Sequence, residues 1–396
     1  MKHAAKRFLC ALLLFCIGCS FRMPLFATEV ASVSPPSSLS AHSALLMEAE
    51  SGRVLWEKNA KERMGMASTT KIMTALLAAE RLSPDTVVTV PHEAVGIEGS
   101  SIYLTAGEKL TVRELLYALM LASANDAATA LAIATAGSVE AFCALMNQRA
   151  ASLGLTDTHF VNPHGLANEE HYTTAYDLGQ IAAEAMRVPL IRTVASTQKT
   201  TISFGDNPNG RYLRNHNRML TRYEGAIGLK TGFTKKTGRC LVSAAEREGM
   251  TLLAVTLNAP DDWRDHAAML DYGFAAYTYE TLYEAGEFVT TLPLTGGVDR
   301  YVTLTNSSAI RILLPVGYQE PTLRVESFSH FAFAPVAKDT TLGTLVCAVG
   351  EDVIQVPLVA RADAKAYEEP KGFWMRLLDG ILTRLKAFFT IFQAKE

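Results

Sequence analysis

Residues 66–80 read MASTTKIMTALLAAE, and this stretch governs how the rest of the chain is read. After Ser68 the run KIMTALLAAE holds strong helix formers and no Gly or Pro, so a helix is expected from Ser68 to about Glu80. Ser68 and Lys71 stand three apart, and residues at that spacing share a helix face, which brings the amine to the hydroxyl. In the first turn the serine also feels the positive end of the helix, which favours developing negative charge. A nearby base and a favourable field are what a nucleophilic serine needs. The spacing alone is weak, because Ser196-Thr197-Gln198-Lys199 repeats it. There Val194, Thr200, Thr201 and Ile202 suggest a strand, which would turn residues three apart to opposite faces. Context therefore selects Ser68.

Two more stretches can share a cleft with it. Ser123-Ala124-Asn125 falls at a break between two helical patterns and can present a hydroxyl and an amide; a plain helix cap on Asn125 or Asp126 fits the same residues. Lys-Thr-Gly occurs twice. Lys230–Gly232 follows Ala226-Ile227-Gly228-Leu229 and belongs on a strand, where Lys230 and Gly232 point to one face and Gly232 lets a substrate backbone approach closely. Lys236–Gly238 reads as the turn after that strand.

Around these motifs, Ala44 to Trp56 reads as a hairpin about Ser51-Gly52. Helical patterns fill Thr111 to Arg187, with Thr111 and Glu114 spaced as a capping box. Strand patterns return at Ala226–Thr234, Leu241–Glu246 and Thr251–Asn258, before a helix from about Asp262 to Ala276. Strands, a helical block, more strands and a last helix suit an α+β domain over residues 41–280: an antiparallel sheet flanked by helices plus an all-helical lobe. Short β-rich runs between Gly, Pro and Asn turns then mark a small all-β domain over 284–364.

In the order SxxK, SxN, KTG, the three motifs form the set shared by β-lactamases and penicillin-binding proteins. The stretches MASTTKIMTALLAAE, LMLASANDAATALA, FVNPHGL, TAYDLGQIA, GLKTGFT, RCLVSAAEREGMTLLAVTL and DYGF resemble the low-molecular-weight penicillin-binding proteins, specifically the D-alanyl-D-alanine carboxypeptidases. The resemblance implies Ser68 as nucleophile and Lys71 as its base. Ser123 would relay the proton to the leaving amine, and Asn125 would hold Lys71 and the substrate amide. Lys230, Thr231 and Gly232 would bind the terminal carboxylate end of the substrate. The backbone N–H groups of Ser68 and Phe233 would form the oxyanion hole. His164 and His216 lie in matching stretches and are candidates to line the cleft; Arg264 is a candidate for carboxylate or structural pairing. The implied reaction removes the terminal D-alanine from peptidoglycan stem peptides, needs no metal or cofactor, and makes β-lactams acylating inhibitors. A D,D-endopeptidase, a serine β-lactamase and a non-catalytic wall-binding protein remain alternatives.

The two ends of the chain bear on location. Lys2, Lys6 and Arg7 precede the short apolar run Phe8–Ile17, so residues 1–27 read as a secretory signal, followed by a Pro/Ser linker over 28–40. An uncleaved anchor or a lipid-modified Cys19 are the other readings. Without the basic residues of that signal the net charge falls from −3 to about −7, a poor surface for nucleic acid. The mature chain keeps Cys143, Cys240 and Cys347, far apart and without zinc spacing, which reads as three buried thiols. In 371–393 apolar residues recur at three- and four-residue steps from Trp374 to Phe392, with Arg376, Asp379, Arg384 and Lys386 opposite. A helix lying in the membrane surface keeps those charges in water, whereas a spanning helix would bury them at about 2.5–3.5 kcal/mol each. The expected place is therefore the outer face of the cytoplasmic membrane, with the C-terminal helix as anchor.

Overall fold

The computed structural model describes residues 33–385, apart from 206, 319–320, 350–351, 370–371, 373–374, 376, 379 and 384. The expected signal over 1–27 and most of the expected C-terminal helix lie outside the described residues.

Ser43–Glu48 (β1) and Val54–Lys58 (β2) form the expected hairpin, and a 3-10 turn at Ala67–Thr70 leads into Lys71–Arg81 (α1). Val87–Thr89 (β3) pairs with Lys109–Thr111 (β4). Then come Val112–Leu121 (α2), Asn125–Ala136 (α3), Val139–Ser152 (α4), Ala175–Met186 (α5) and Pro189–Ser196 (α6). Lys199–Ile202 (β5) pairs with Arg211–Arg214 (β6), and Met219–Arg222 (α7) precedes Ala226–Thr234 (β7), Gly238–Arg247 (β8), Met250–Leu257 (β9) and Asp262–Ala276 (α8). The capping box forms: Glu114 N donates to Thr111 Oγ1 at 3.2 Å, and Thr111 N donates to Glu114 Oε2 at 2.8 Å.

The central sheet is five-stranded and antiparallel, in the order β2-β1-β9-β8-β7. Its strands alternate with a period of two between two cores. Leu45, Met47, Val242, Leu253 and Val255 face α1, α2, α3 and α5, while Ala44, Leu46, Leu241, Leu252 and Ala254 face α8. This sandwiching explains why β1 is buried at all six positions. In α1, Ile72, Met73, Leu76 and Leu77 are at most 1% exposed. Burying each stabilises the fold by about 1.5–3 kcal/mol, which pins the start of that helix under the edge of β7. Cys143, Cys240 and Cys347 are free and buried, as the sequence suggests.

Strands continue directly after α8: Tyr277–Tyr283 (β10), Val289–Thr295 (β11), Tyr301–Asn306 (β12), Ile310–Pro315 (β13), Thr322–Ser327 (β14), Ala332–Phe333 (β15), Thr341–Val349 (β16) and Asp352–Ala360 (β17). The all-β region thus starts at Tyr277, earlier than Glu284, because β10 pairs with β13. The other strands form one six-stranded sheet in the order β14-β16-β17-β12-β11-β15, over its own core of Val302, Leu304, Ile312, Leu345 and Leu358.

At the repeated SxxK the expected strand forms from Lys199 onward, taking in Thr200, Thr201 and Ile202, while Val194 and Ser196 lie in a helix. Ser196 closes α6, with its hydroxyl donating to Thr193 O at 3.1 Å, and Lys199 opens β5; both side chains are exposed. Pro189 at the first helical position starts α6, and its apolar face (Ile191, Val194, Ala195) packs inward, which overrides the β-branched residues nearby.

Candidate active site

Ser68 sits on the 3-10 turn, half-buried, directly after Ala67, whose φ is +47°. A non-glycine residue in that left-handed region costs about 1 kcal/mol or more and persists only where its surroundings hold it. Here they do. Thr70 Oγ1 donates to Ala67 O at 2.8 Å and contacts His171 Nε2 at 2.8 Å. His171 Nδ1 accepts from Val161 N at 3.1 Å, so its proton lies on Nε2 and points at Thr70. Burial pushes the His171 imidazole down to about 4, consistent with that neutral form.

The loop at 160–166 closes over the turn. Asn162 Oδ1 accepts from Gly165 N at 2.7 Å and His164 N at 3.3 Å, which folds the loop so that His164 O faces inward. Gly165 has φ +89°, and a Cβ there would lie 1.9 Å from Ala67 O. Only glycine lets the loop approach this closely.

Lys71 begins α1 fully buried, and three oxygens surround its Nζ: Ser68 Oγ at 2.9 Å, Asn125 Oδ1 at 2.7 Å and His164 O at 2.6 Å. Asn125 is oriented by its own Nδ2, which donates to Glu98 O at 2.5 Å. Burial, and then the charge of Lys230, hold the Lys71 amine well below its ordinary value. Two of its three neighbours are carbonyl oxygens that only accept. A neutral amine gives its two N–H groups to them and keeps its lone pair for the one neighbour with a proton to give, the Ser68 hydroxyl.

Lys230 lies on β7, 1% exposed, with Nζ donating to Thr231 O at 2.9 Å; burial pushes it down to about 7. Along the strand Lys230 and Gly232 are buried, Thr231 is half-buried and Phe233 exposed. Gly232 closes the gap to the serine turn: a Cβ on it would stand 3.0 Å from Ser68 N and 3.1 Å from Ala67 Cβ. Ser123 joins α2 to α3 with φ +58°, a second left-handed non-glycine residue, and is buried. Strained backbone at both Ala67 and Ser123 fits the clustering of such conformations at working sites.

Asn125 and Asp126 do not act as caps. The N-cap of α3 is Ala124, without a side-chain bond, and Asp126 instead holds the segment 101–104 through Ile102 N, Leu104 N and Ser101 Oγ. The three histidine and arginine candidates divide. His164 enters the cleft through its carbonyl, while its ring, pushed down to about 3 by burial and then by Lys71, accepts from Leu166 N at 3.3 Å. His216 anchors its backbone on Leu121 O at 3.2 Å and lines a depression with Gln198 and Arg214; burial, and then the charge of Lys230, push its imidazole below the ordinary value, which places it beside the carboxylate-gripping lysine of the cleft. Arg264 is exposed on α8, the helix on the far face of the sheet, and the pairing at that helix start is made by Arg239 with Asp262 at 2.7 Å. Sequence reasoning missed Gly165, His171 and Asp126; the FVNPHGL stretch carried the only local signal for the first.

Residues 29–261 match the family described as D-alanyl-D-alanine carboxypeptidase, and residues 277–366 match the C-terminal domain of penicillin-binding protein 5. The D-alanyl-D-alanine carboxypeptidase DacF of Bacillus subtilis is 35% identical over 372 residues, covering 91% of this chain and 95% of the relative. DacC of Escherichia coli is 30% identical over 387 residues, covering 93% and 94%. Among solved structures, penicillin-binding protein 5 of Haemophilus influenzae superposes with a TM-score of 0.69 at 28% identity, covering 84% of this chain and 99% of that one. A peptidoglycan synthesis regulatory factor (PBP3) of Streptococcus pneumoniae gives a TM-score of 0.73 at 26% identity, covering 83% and 100%.

Proposed function

This chain belongs to the D-alanyl-D-alanine carboxypeptidase family of serine peptidases that act on peptidoglycan, and from that premise we propose how its cleft divides the work. Ser68 is the nucleophile. Lys71 takes the hydroxyl proton into its lone pair as Ser68 Oγ attacks the carbonyl carbon of the penultimate D-alanine. The resulting oxyanion is met by the N–H groups of Ser68 and Phe233, where one such donor is worth about 3–4 kcal/mol. The C–N bond then breaks, and the proton passes by way of Ser123 to the leaving D-alanine amine. Lys230 and Thr231 grip the departing carboxylate, and Gly232 leaves room for the substrate backbone. Water, activated by the same amine, hydrolyses the acyl-enzyme. The observation that carries this reading is the Lys71 amine, buried, held below its usual basicity and 2.9 Å from Ser68 Oγ.

The direct test is a synthetic pentapeptide ending in D-Ala-D-Ala. Mass spectrometry of the products should show loss of one alanine and a shortened peptide that goes no further. An unchanged pentapeptide, or cleavage at any other bond, would refute the assignment.

We also propose that the protein is exported and held on the outer face of the membrane by its C-terminal helix. Among the described residues of that segment, Met375, Leu377, Leu378, Ile381, Leu382 and Leu385 are each 47–61% exposed and so are not covered by the β-domain. Among the described residues no single helix is long and apolar enough to cross a membrane, and an in-plane helix needs no such length. Removing residues 371–396 should release an enzyme that still binds penicillin and stays in the supernatant after centrifugation with vesicles. Continued sedimentation of the truncated protein would count against the anchor.

A further inference from the structure

The six-stranded sheet of the β-domain has two unlike ends, and its register fixes which residues share each. At one end Val349 pairs with Asp352 and Thr322 with Ala348. Val353 and Ile354, the next residues of β17, line a depression with Ser51, Gly52 and Arg53 of the β1–β2 turn, so this end faces the catalytic domain. At the other end Ser327 pairs with Gly343, Thr341 with Val359 and Tyr301 with Pro293. The chain leaves the domain here: Val298 N donates to Lys365 O at 3.0 Å, and Tyr367 N to Gly296 O at 2.8 Å.

This far end is aromatic. Val298, Tyr301, Phe328, Phe331, Phe333 and Tyr367 are each 42–70% exposed. Nine aromatic side chains are that open among the described residues, so five of the nine gather at one end of one small domain. The stretch Phe328–Phe333 reads FSHFAF and exposes three phenylalanines in six residues. Ala332 turns into the β-domain core, so β15 aims Phe331 and Phe333 outward together, with ring centroids 5.1 Å apart. Rings left in water forgo the free energy of burial, and a contiguous group of them marks a surface that meets an apolar partner.

We infer that this end of the β-domain rests in the lipid surface beside the C-terminal helix, as a second membrane contact. The inference rests on the anchor proposed above. Lipid is selected as the occupant by where the chain goes next. Met375 lies eight residues past Tyr367, at most about 29 Å of extended chain, and it opens the exposed apolar series Leu377, Leu378, Ile381 and Leu382. An anchor lying in the membrane plane therefore keeps the aromatic end within reach of lipid and the catalytic-domain end away from it. Aromatic rings favour the headgroup level, where the ring body meets the acyl boundary and the hydroxyls of Tyr301 and Tyr367 stay wet. Flanking charges are mixed, with Arg300 beside Asp299 and Lys338 beside Asp339, so the rings rather than a basic patch make the contact. A few partly covered rings add to the helix without replacing it, and truncation at residue 370 still releases the protein.

The test uses the full chain and vesicles of phosphatidylethanolamine and phosphatidylglycerol. An environment-sensitive dye is attached through Ser329→Cys at the aromatic end, or through Thr322→Cys at the opposite end of β14; both positions are exposed, and Cys143, Cys240 and Cys347 are buried. With a spin-labelled lipid in the vesicles, the dye at 329 should be quenched several-fold more strongly than the dye at 322. The triple variant Phe328→Ser, Phe331→Ser, Phe333→Ser should bind vesicles about tenfold more weakly than the wild type while labelling with penicillin equally well. Equal quenching at the two positions, in protein that still sediments with the vesicles, overturns the contact and leaves the anchor standing. Wild-type vesicle binding by the triple variant overturns it as well. A dye at 329 that reports an apolar setting before vesicles are added, and loses it on dilution, would assign the surface to a second copy of the chain and overturn the lipid contact. Failure of the full-length wild type to sediment with vesicles would instead refute the anchor and the contact with it.

Discussion

Replacing Ser68 by alanine removes labelling by a fluorescent penicillin and lowers D-Ala-D-Ala hydrolysis by at least about 10⁴-fold, the scale seen when a nucleophile is deleted from a serine hydrolase. The fold should survive, because Ser68 is half-buried and among the described residues its hydroxyl bonds Lys71 and, at 3.4 Å, His164 O. Ser196→Ala is the matching control. Its SxxK partner is split off by the end of α6, so both labelling and hydrolysis should stay at wild-type levels. Labelling that persists in Ser68→Ala and disappears in Ser196→Ala would mean that the wrong serine has been assigned.

Lys71→Arg should be almost as damaging, lowering acylation by about 10²–10⁴-fold, the usual worth of a positioned general base. Arginine keeps a positive charge and a long stem, but its guanidinium stays protonated in a protein and has no lone pair to offer. The pH dependence should distinguish the base from a mere positive charge. A lysine is protonated below its pKa and works as a base only above it. In the wild type, penicillin acylation should therefore rise with pH and level off well short of pH 10.5, the ordinary lysine value from which Lys71 is lowered. Lys230 has the opposite requirement, since it grips a carboxylate only while charged. Burial pushes it down to about 7 in the empty cleft, so kcat/KM for a peptide should turn down on the alkaline side. A bound carboxylate raises the lysine again, so kcat should hold where kcat/KM falls. Acylation by Lys71→Arg at the wild-type rate, or a flat profile in the wild type, would remove Lys71 from the role of base.

Much of this was legible locally. β7 and α8 occupy the spans expected from their patterns, Ala226–Thr234 and Asp262–Ala276, and the Thr111–Glu114 box closes as its spacing requires. The errors have local causes too. Val194, Thr200, Thr201 and Ile202 suggested a strand, which forms only over Lys199–Ile202, because a proline start and an apolar face buried against the core carry α6 through Val194 to Ser196. Asn125 looked equally like a cap, and nothing within a few residues of it could show that its amide reaches Glu98 O on one side and Lys71 on the other.

The sequence by itself determined which side chains could do chemistry. A serine and a lysine three apart at a helix start, an SxN at a helix break and a KTG on a strand are set by short-range spacing, and short-range spacing dictates which groups share a face. The tertiary structure decided which of them meet and in what state. It set the Lys71 amine on Ser68 and split Lys199 from Ser196, supplied the carbonyl rather than the ring of His164, and required glycine at 165 for the loop to reach Ala67 O. It also lowered the basicity of Lys71, because that change comes from burial and from Lys230, residues away along the chain and brought close only when β7 packs over the start of α1. Contacts between distant segments and the loss of water around an amine belong to packing, and no run of neighbouring residues contains them.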